Sequence, residues 1–177
     1  TARPAGVMDA FDALTDKIIN DDAIKGVVIT SGKAAFCAGA DLSELGGSSA
    51  ALAKLPEEEM KTKLFEQCFR LNKTFRALET CGKPIAAAVN GLALGGGFEI
   101  ALACHYRVMP SDTPKAKLGL PADMVGVLPG RGRPQRLPRL LGPDATRPGL
   151  PTGQPTRAAS PHPHCPLDPM VSPSRGG

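Results

Sequence analysis

The fold is decided by residues 83–99, which read KPIAAAVNGLALGGGFE. The first part of this stretch, from Pro84 to Val89, is a continuous apolar run with the length and composition of a buried strand. The last part opens a helix with three consecutive glycines, and Glu99 follows them within the first helical turn. The stretch is therefore predicted to form a buried strand, a glycine-rich loop and the start of a helix.

Helices and strands alternate on both sides of this stretch. Apolar residues at helical spacing predict helices over residues 7–20 and 56–81, the second starting at Pro56. A β-branched run predicts a buried strand at residues 25–30, and further strands are predicted at residues 106–109 and 116–119. Such alternation is typical of an α/β fold with parallel strands.

Length and composition exclude several classes of protein. The chain has 177 residues, 42% apolar and 21% charged, which suits one globular domain. A net charge of +4 is too small to predict binding to nucleic acid, and no apolar run approaches the length of about 20 residues that spans a membrane. The five cysteines are odd in number and lack Cys-x-x-Cys spacing, so a reducing compartment is favoured over a disulfide framework or a zinc site.

Proline content divides the chain into two parts. Residues 1–142 hold nine of the 18 prolines, and the 35 residues 143–177 hold the other nine. The second part has no helical or strand period, so we predict a proline-rich tail that is disordered or extended. A proline-rich ligand for a partner protein is the alternative for this tail. No secretory signal is visible at the N-terminus. The sequence also has no initiator Met, which predicts that it begins within a longer protein and that residues 1–142 form a partial domain.

Two loops rich in small residues follow the predicted buried strands, at residues 36–41 (FCAGAD) and 90–99 (NGLALGGGFE). The second loop runs into a helix, so its free amides point out of the positive end of the helix dipole. Amides from both loops could converge on one oxygen as an oxyanion hole, with Glu99 as an acid or base beside it. Alternatively, the glycine triplet is only a tight turn or a place of close packing.

Residues 31–42, SGKAAFCAGADL, and residues 83–99 resemble the two signatures of the crotonase superfamily, the enoyl-CoA hydratase/isomerase family. Similarity to the hydratase domain of multifunctional fatty-acid-oxidation proteins continues at residues 106–108, 114–121, 125–130 and 135–140. The resemblance covers about residues 7–142. It implies the crotonase-like ββα spiral core, truncated here because the opening strands expected before residue 7 are absent.

The resemblance also implies a substrate and a binding site. The substrate is an acyl-CoA, and no cofactor or metal beyond this coenzyme A thioester is expected. The thioester oxygen is held by the backbone amides of Ala40 and Gly96, and the coenzyme A groove is lined by Ala38, Gly39 and Asp41. The implied reaction is the addition of water to trans-2-enoyl-CoA in fatty-acid β-oxidation.

The catalytic carboxylates of the family are only partly present. Glu99 matches the glutamate that handles water, but Ala122 occupies the position of the second catalytic glutamate. Asp123 is a weak substitute acid, one position later and one methylene shorter. The alternatives are therefore a catalytically impaired acyl-CoA binder or an enoyl-CoA isomerase, the latter relying chiefly on the carboxylate that is missing here.

Assembly and location follow only from the resemblance. The family forms homotrimers through a closing helical region, and that region is not recognisable in this sequence. The expected location is the cytoplasm of a bacterium, or the mitochondrion or peroxisome of a eukaryote.

Four further sets of residues have less specific interpretations. A basic cluster is predicted to be a solvated face or to contact coenzyme A phosphates, and comprises Arg131, Arg133, Arg136 and Arg139. No aromatic residues interleave with it, which argues against nucleic acid. His162, His164 and Cys165 lack normal metal-ligand spacing, so no metal site is predicted. His105 is predicted to be structural and Cys37 to be a small buried packing residue.

Overall fold

A computed structural model describes residues 4–39, 47, 50–110, 117–119, 132–141 and 156–157. The helices whose full extent is described are Pro4–Asn20 (α1), Glu57–Thr80 (α2), Gly96–Ala103 (α3) and Arg133–Leu141 (α4). The strands are Val27–Ile29 (β1), Ile85–Ala88 (β2), Ala93–Leu94 (β3), Tyr106–Val108 (β4), Lys117–Gly119 (β5) and Thr156–Arg157 (β6).

The predicted alternation of helices and strands is confirmed. Helix α1 starts at Pro4, slightly earlier than the predicted residue 7, and α2 starts directly after Pro56 as expected. Helix α4 and the two-residue strand β3 were not predicted, because α4 contains two prolines and β3 is too short to show a period.

The strands form two small sheets. The first has the order β1-β2-β4 with all strands parallel, in the register Val27 opposite Ile85 and Ala86 opposite Tyr106. The second has the order β3-β5-β6, in which β3 is parallel to β5 and β6 is antiparallel to it. Parallel pairing agrees with the crossover through a helix between β1 and β2.

Strand β6 lies within the stretch that was predicted to be disordered or extended. Thr156 and Arg157 pair with Leu118 and Lys117 of β5, so the chain is extended, as a strand, at these two residues. A two-residue strand leaves no pattern in the sequence. The remainder of residues 143–177 lies outside the described residues.

The hydrophobic core lies between β2 and the helices. Its fully buried side chains come from α1, α2, β2, α3 and the segments around them, and include Ile18, Leu78, Ile85, Ala87, Phe98, Leu102 and Met109. Helix α1 also packs on α2 through an edge-to-face pair of Phe11 and Phe75, whose ring centroids are 6.3 Å apart. The core thus holds α3 against β2.

The opposite face of the first sheet is open. Val28 of β1 is 66% exposed and Tyr106 of β4 is 58% exposed, on the same face as the half-buried Ala86. The strand predicted at residues 25–30 forms over Val27–Ile29, but the prediction that it is buried is wrong, because Val27 and Ile29 are half-buried and Val28 is exposed. A β-branched run indicates a strand, but whether a neighbouring layer covers it depends on tertiary structure.

Candidate active site

The two small-residue loops pair with each other through their backbones. The amide of Cys37 donates to the carbonyl of Leu92 at 3.1 Å, and the amide of Leu94 donates to the carbonyl of Cys37 at 2.9 Å. Cys37 and Ala93 thereby form a parallel bridge that extends the edge of β3. The loops that were predicted to converge on one oxygen are thus in direct contact.

Glycine is required where the first loop meets the start of α3. A Cβ atom placed on Gly97 would lie 2.2 Å from the carbonyl oxygen of Cys37 and 2.6 Å from its Cβ. Side chains do not tolerate such distances, so helix α3 can approach the loop this closely only through Gly97. The interpretation of the triplet as close packing therefore holds at this position.

Gly39 and Gly95 lie side by side at the same junction. Both have positive φ angles, of 96° and 52°, which glycine adopts at no steric cost. A Cβ atom placed on Gly95 would be 3.8 Å from the Cα atom of Gly39. These two residues immediately precede Ala40 and Gly96 in the sequence, the two predicted donors.

The amides around the glycine triplet have different partners. The amide of Gly95 donates to the carbonyl of Gly119 at 3.0 Å, and the amide of Glu99 closes the first turn of α3 on Gly95 at 3.1 Å. Gly96 is the first residue of α3, and no backbone oxygen of the described residues accepts from its amide. The first amides of a helix commonly remain available in this way. Gly96 therefore presents an amide at the positive end of α3.

Glu99 lies in the first turn of α3 and is 3% exposed. Its position in the first turn places a carboxylate near the positive end of the helix dipole. A buried carboxylate at the start of a helix has the composition expected of a site for acid–base chemistry.

The other predicted site residues are only partly described. Ala38 is exposed and precedes Gly39 at the end of the described loop. Ala40, Asp41, Ala122 and Asp123 lie outside the described residues, so their roles remain predictions. Cys37 was predicted to be a small buried packing residue; it packs against the hydrophobic core but is only half-buried.

The opposite end of α3 has features that the sequence interpretation missed. Arg107 of β4 is 3% exposed and donates to the carbonyl of Cys104 at 2.6 Å. Burial raises the pKa of the Cys104 thiol to about 12, although Arg107 acts in the opposite direction. The available signal was a charged residue in the middle of a short apolar strand, since such residues are rarely buried without partners.

Two of the less specific interpretations can be compared with the structure. His105 is structural: its Nδ1 accepts from the amide of Ile85 at 3.1 Å, and its Nε2 is 3.2 Å from the carbonyl oxygen of Glu79. Arg136, by contrast, does not belong to a solvated or phosphate-binding cluster. Its guanidinium forms a bidentate ion pair with Glu79, in which Nε donates to Oε1 at 2.5 Å and Nη2 donates to Oε2 at 3.0 Å. The same guanidinium lies over the Phe75 ring.

The other arginines of the basic cluster and the His/Cys set near the C-terminus are exposed or not described. Arg139 is exposed, whereas Arg131, His162, His164 and Cys165 lie outside the described residues, and the side chain of Arg133 is not described either. In the ranges that the structure covers, no group of three His, Cys, Asp or Glu residues is arranged to hold a metal ion. No helix within the same ranges is long and apolar enough to cross a membrane.

Comparisons with known proteins identify the family and the relatives of the chain. The enoyl-CoA hydratase/isomerase family matches residues 5–162, which extends the similarity beyond residue 142 and past β6. The chain is 41% identical over 143 residues to the fatty acid oxidation complex subunit alpha of Pseudomonas putida strain F1, covering 81% of this chain and 18% of that protein. The corresponding subunit of Pseudomonas aeruginosa strain LESB58 is 40% identical over 146 residues.

Solved structures give the same result for the fold. The enoyl-CoA hydratase of Bacillus anthracis superposes with a TM-score of 0.77 and 30% identity, covering 96% of this chain and 61% of that one. The chain thus spans under a fifth of its curated relatives and under two thirds of this hydratase. The chain shares its α/β fold with this hydratase, and its two loops join at a glycine-rich helix start. Because the family model also matches most of its length, the chain belongs to the enoyl-CoA hydratase/isomerase family, the crotonases.

Proposed function

We propose that the chain binds 2-enoyl thioesters of coenzyme A and adds water to them, as an enoyl-CoA hydratase of fatty-acid β-oxidation. The observation that carries this proposal is the contact of Gly39 with Gly95, which immediately precede Ala40 and Gly96 in the sequence. Two amides directed at one thioester oxygen would stabilise the negative charge that develops there in the transition state.

In the proposed reaction, Glu99 handles the water. Its carboxylate accepts a proton as the water oxygen bonds to C3 of the enoyl group, and the electrons of the double bond move onto the thioester as an enolate. A proton returned to C2 completes the addition and regenerates the carboxylate. Burial of Glu99 in the first turn of α3 supports this role, because that turn also carries the Gly96 amide.

The relatives support the substrate class. The family is named for enoyl-CoA hydration and isomerisation, and the curated relatives are subunits of fatty acid oxidation complexes. We propose no cofactor for this chain, since the coenzyme A that it would bind belongs to the substrate.

Ala122 limits the proposed rate. In the reaction above, Glu99 alone takes and returns the proton, because the methyl group of Ala122 cannot transfer one and Asp123 would have to act from a neighbouring position with a shorter side chain. Misplacement by about 1 Å can cost about 10²-fold in rate, so we expect turnover far below that of a crotonase with both glutamates. The second candidate, an acyl-CoA binder without turnover, is favoured by this same substitution. An isomerase is favoured less, because it would depend on the missing carboxylate.

The proposal is tested by measuring the turnover of crotonyl-CoA through the loss of absorbance of its conjugated thioester. We expect slow turnover by the chain and faster turnover by Ala122→Glu at an unchanged dissociation constant for acyl-CoA. Ala53→Glu, which adds the same side chain at an exposed position, is the matched control and should not change the rate. Binding without turnover by both the chain and Ala122→Glu would contradict hydration and support the binder.

A further inference from the structure

Arg107 closes the end of α3 that lies opposite Gly96 and Glu99. Its Nη1 donates to the carbonyl of Cys104 at 2.6 Å and, at a longer 3.4 Å, to that of Ala101. Its Nη2 donates to the carbonyl of His105 at 3.4 Å. The carbonyl of Ala101 also accepts the amide of Cys104 at 3.2 Å. The short contact of Arg107 therefore matters most for the carbonyl of Cys104, which directly follows the last residue of α3.

Both the charge and the shape of the guanidinium suit this position. A cation at the C-terminal end of a helix interacts favourably with the negative end of the helix dipole. The planar fork of arginine can reach several carbonyls at once, whereas the ammonium group of a lysine is a single point charge. Because Arg107 belongs to β4 and pairs with Ala87 of β2, it ties the end of α3 to the first sheet.

The other end of α3 carries the proposed chemistry. Helix α3 has only eight residues, so it is a rigid rod of about 12 Å, and a tilt of about 10° would move its far end by about 2 Å. At that far end, Gly97 already touches Cys37 and leaves no space for a shift toward the loop. A change of tilt at the Arg107 end can therefore move the Gly96 amide and Glu99 only away from the loop.

We propose that Arg107 is a positioning residue of the site: it fixes the tilt of α3 and thereby aims the Gly96 amide at the thioester oxygen. This inference rests on the proposed function, because it assumes that an acyl thioester occupies the loop junction. In this proposal Arg107 contacts no substrate and acts through the carbonyls at the C-terminal end of α3.

Lys83 offers a matched control. Its Nζ donates to the carbonyls of Ile18 at 2.5 Å and Asp21 at 2.8 Å, and so closes the C-terminal end of α1 as Arg107 closes that of α3. Helix α1 carries no predicted site residue. Arg107→Met and Lys83→Met therefore remove comparable cations from comparable places, and only the first should disturb the site. Arg107→Lys retains the positive charge but lacks the planar guanidinium group that reaches several carbonyls.

The test uses a cinnamoyl-CoA with a para-amino group, whose absorption moves to longer wavelength when its carbonyl is polarised. The spectrum is recorded at saturating protein, below the melting temperature of every variant. The wild-type chain and Lys83→Met should show the same red shift. Arg107→Met should show about half of it or less, because one of two polarising amides is misdirected, and Arg107→Lys should lie in between.

Each other outcome overturns the inference in a distinguishable way. An equal red shift in the wild-type chain, Arg107→Met and Arg107→Lys would contradict positioning while leaving the proposed function intact. A wild-type chain that shows no saturable shift would contradict the proposed function, and the positioning role with it. If neither Arg107 variant melts cooperatively while Lys83→Met does, Arg107 serves the stability of the whole fold instead.

Discussion

Gly97 packs against Cys37 so closely that a Cβ atom added to the glycine would lie 2.2 Å from the carbonyl oxygen of the cysteine. The same carbonyl accepts the amide of Leu94 at 2.9 Å, so it cannot move away without breaking a bond that joins the two loops. The start of α3 and the first loop therefore form one rigid junction. The predictions concerning the site depend on this junction.

Gly97→Ala should force the junction apart. We expect the free energy of unfolding to fall by about 1–3 kcal/mol, as is usual for overpacking, and acyl-CoA binding to weaken. Gly32→Ala is the control, because a Cβ atom at Gly32 meets no atom within 4 Å. Urea unfolding of both variants measures the difference, and equal stabilities would show that the contact is not constraining.

Glu99→Gln should abolish proton transfer while keeping the shape of the side chain. We expect hydration of crotonyl-CoA to fall by about 10²–10⁴-fold, with little change in the dissociation constant of a non-reactive acyl-CoA. Glu66→Gln, on the exposed face of α2, should leave the rate unchanged. A Glu99→Gln variant as fast as the original chain would remove Glu99 from the mechanism.

The ion pair of Arg136 with Glu79 should make the free energy of unfolding depend on pH in the acidic range. Burial acts to raise the pKa of Glu79, but hydrogen bonds and charge from Arg136, and then from Arg76, outweigh it and lower the pKa below the ordinary value of 4.5. The stabilisation by this carboxylate is therefore complete above about pH 4.5 and is lost as the pH falls through the lower pKa of the folded state.

Glu79→Gln removes this pH-dependent contribution. At neutral pH we expect it to lower the free energy of unfolding by about 1–3 kcal/mol, because Arg136 keeps its charge but loses the opposite charge and one of its two acceptor oxygens. At about pH 3 the difference between the variant and the original chain should shrink. Urea unfolding at both pH values measures this, and a difference that does not depend on pH would contradict the pairing.

The cysteines should differ in reactivity. Cys104 is buried beside α3, and burial raises its pKa to about 12, so its thiol is protonated at neutral pH and inaccessible. Cys68 on α2 is exposed. Alkylation followed by peptide mass spectrometry should label Cys68 within minutes and Cys104 only under unfolding conditions. Equal labelling of the two would mean that the end of α3 opens readily.

Much of the fold follows from local patterns. The limits of α2 follow from Pro56 and the helical spacing of apolar residues, and β2 follows from the apolar run after Lys83. The exposure of Val28 could not be predicted, because a β-branched run looks the same whether or not a second layer covers it. Strand β6 is held by pairing with a partner distant in the sequence, which no local pattern records.

The site was predictable in part for the same reasons. The sequence places Gly96 and Glu99 at the start of a helix, where the structure also has them. It does not distinguish the three glycines, of which Gly95 contacts Gly39 and Gly119 whereas Gly97 contacts Cys37. The charge of Arg107 within a short apolar strand indicated a buried partner, but its role was missed because backbone carbonyls as partners leave no signature in the sequence.

A thermal-shift titration with a non-reactive acyl-CoA tests most directly whether the loop junction is an acyl-CoA site. A ligand that binds only the folded chain should raise the melting temperature saturably, with a stabilisation of about 2.7 kcal/mol at a concentration 100 times the dissociation constant. Gly97→Ala should require more ligand for the same rise. A cooperative melting transition that no concentration of acyl-CoA displaces would contradict the account.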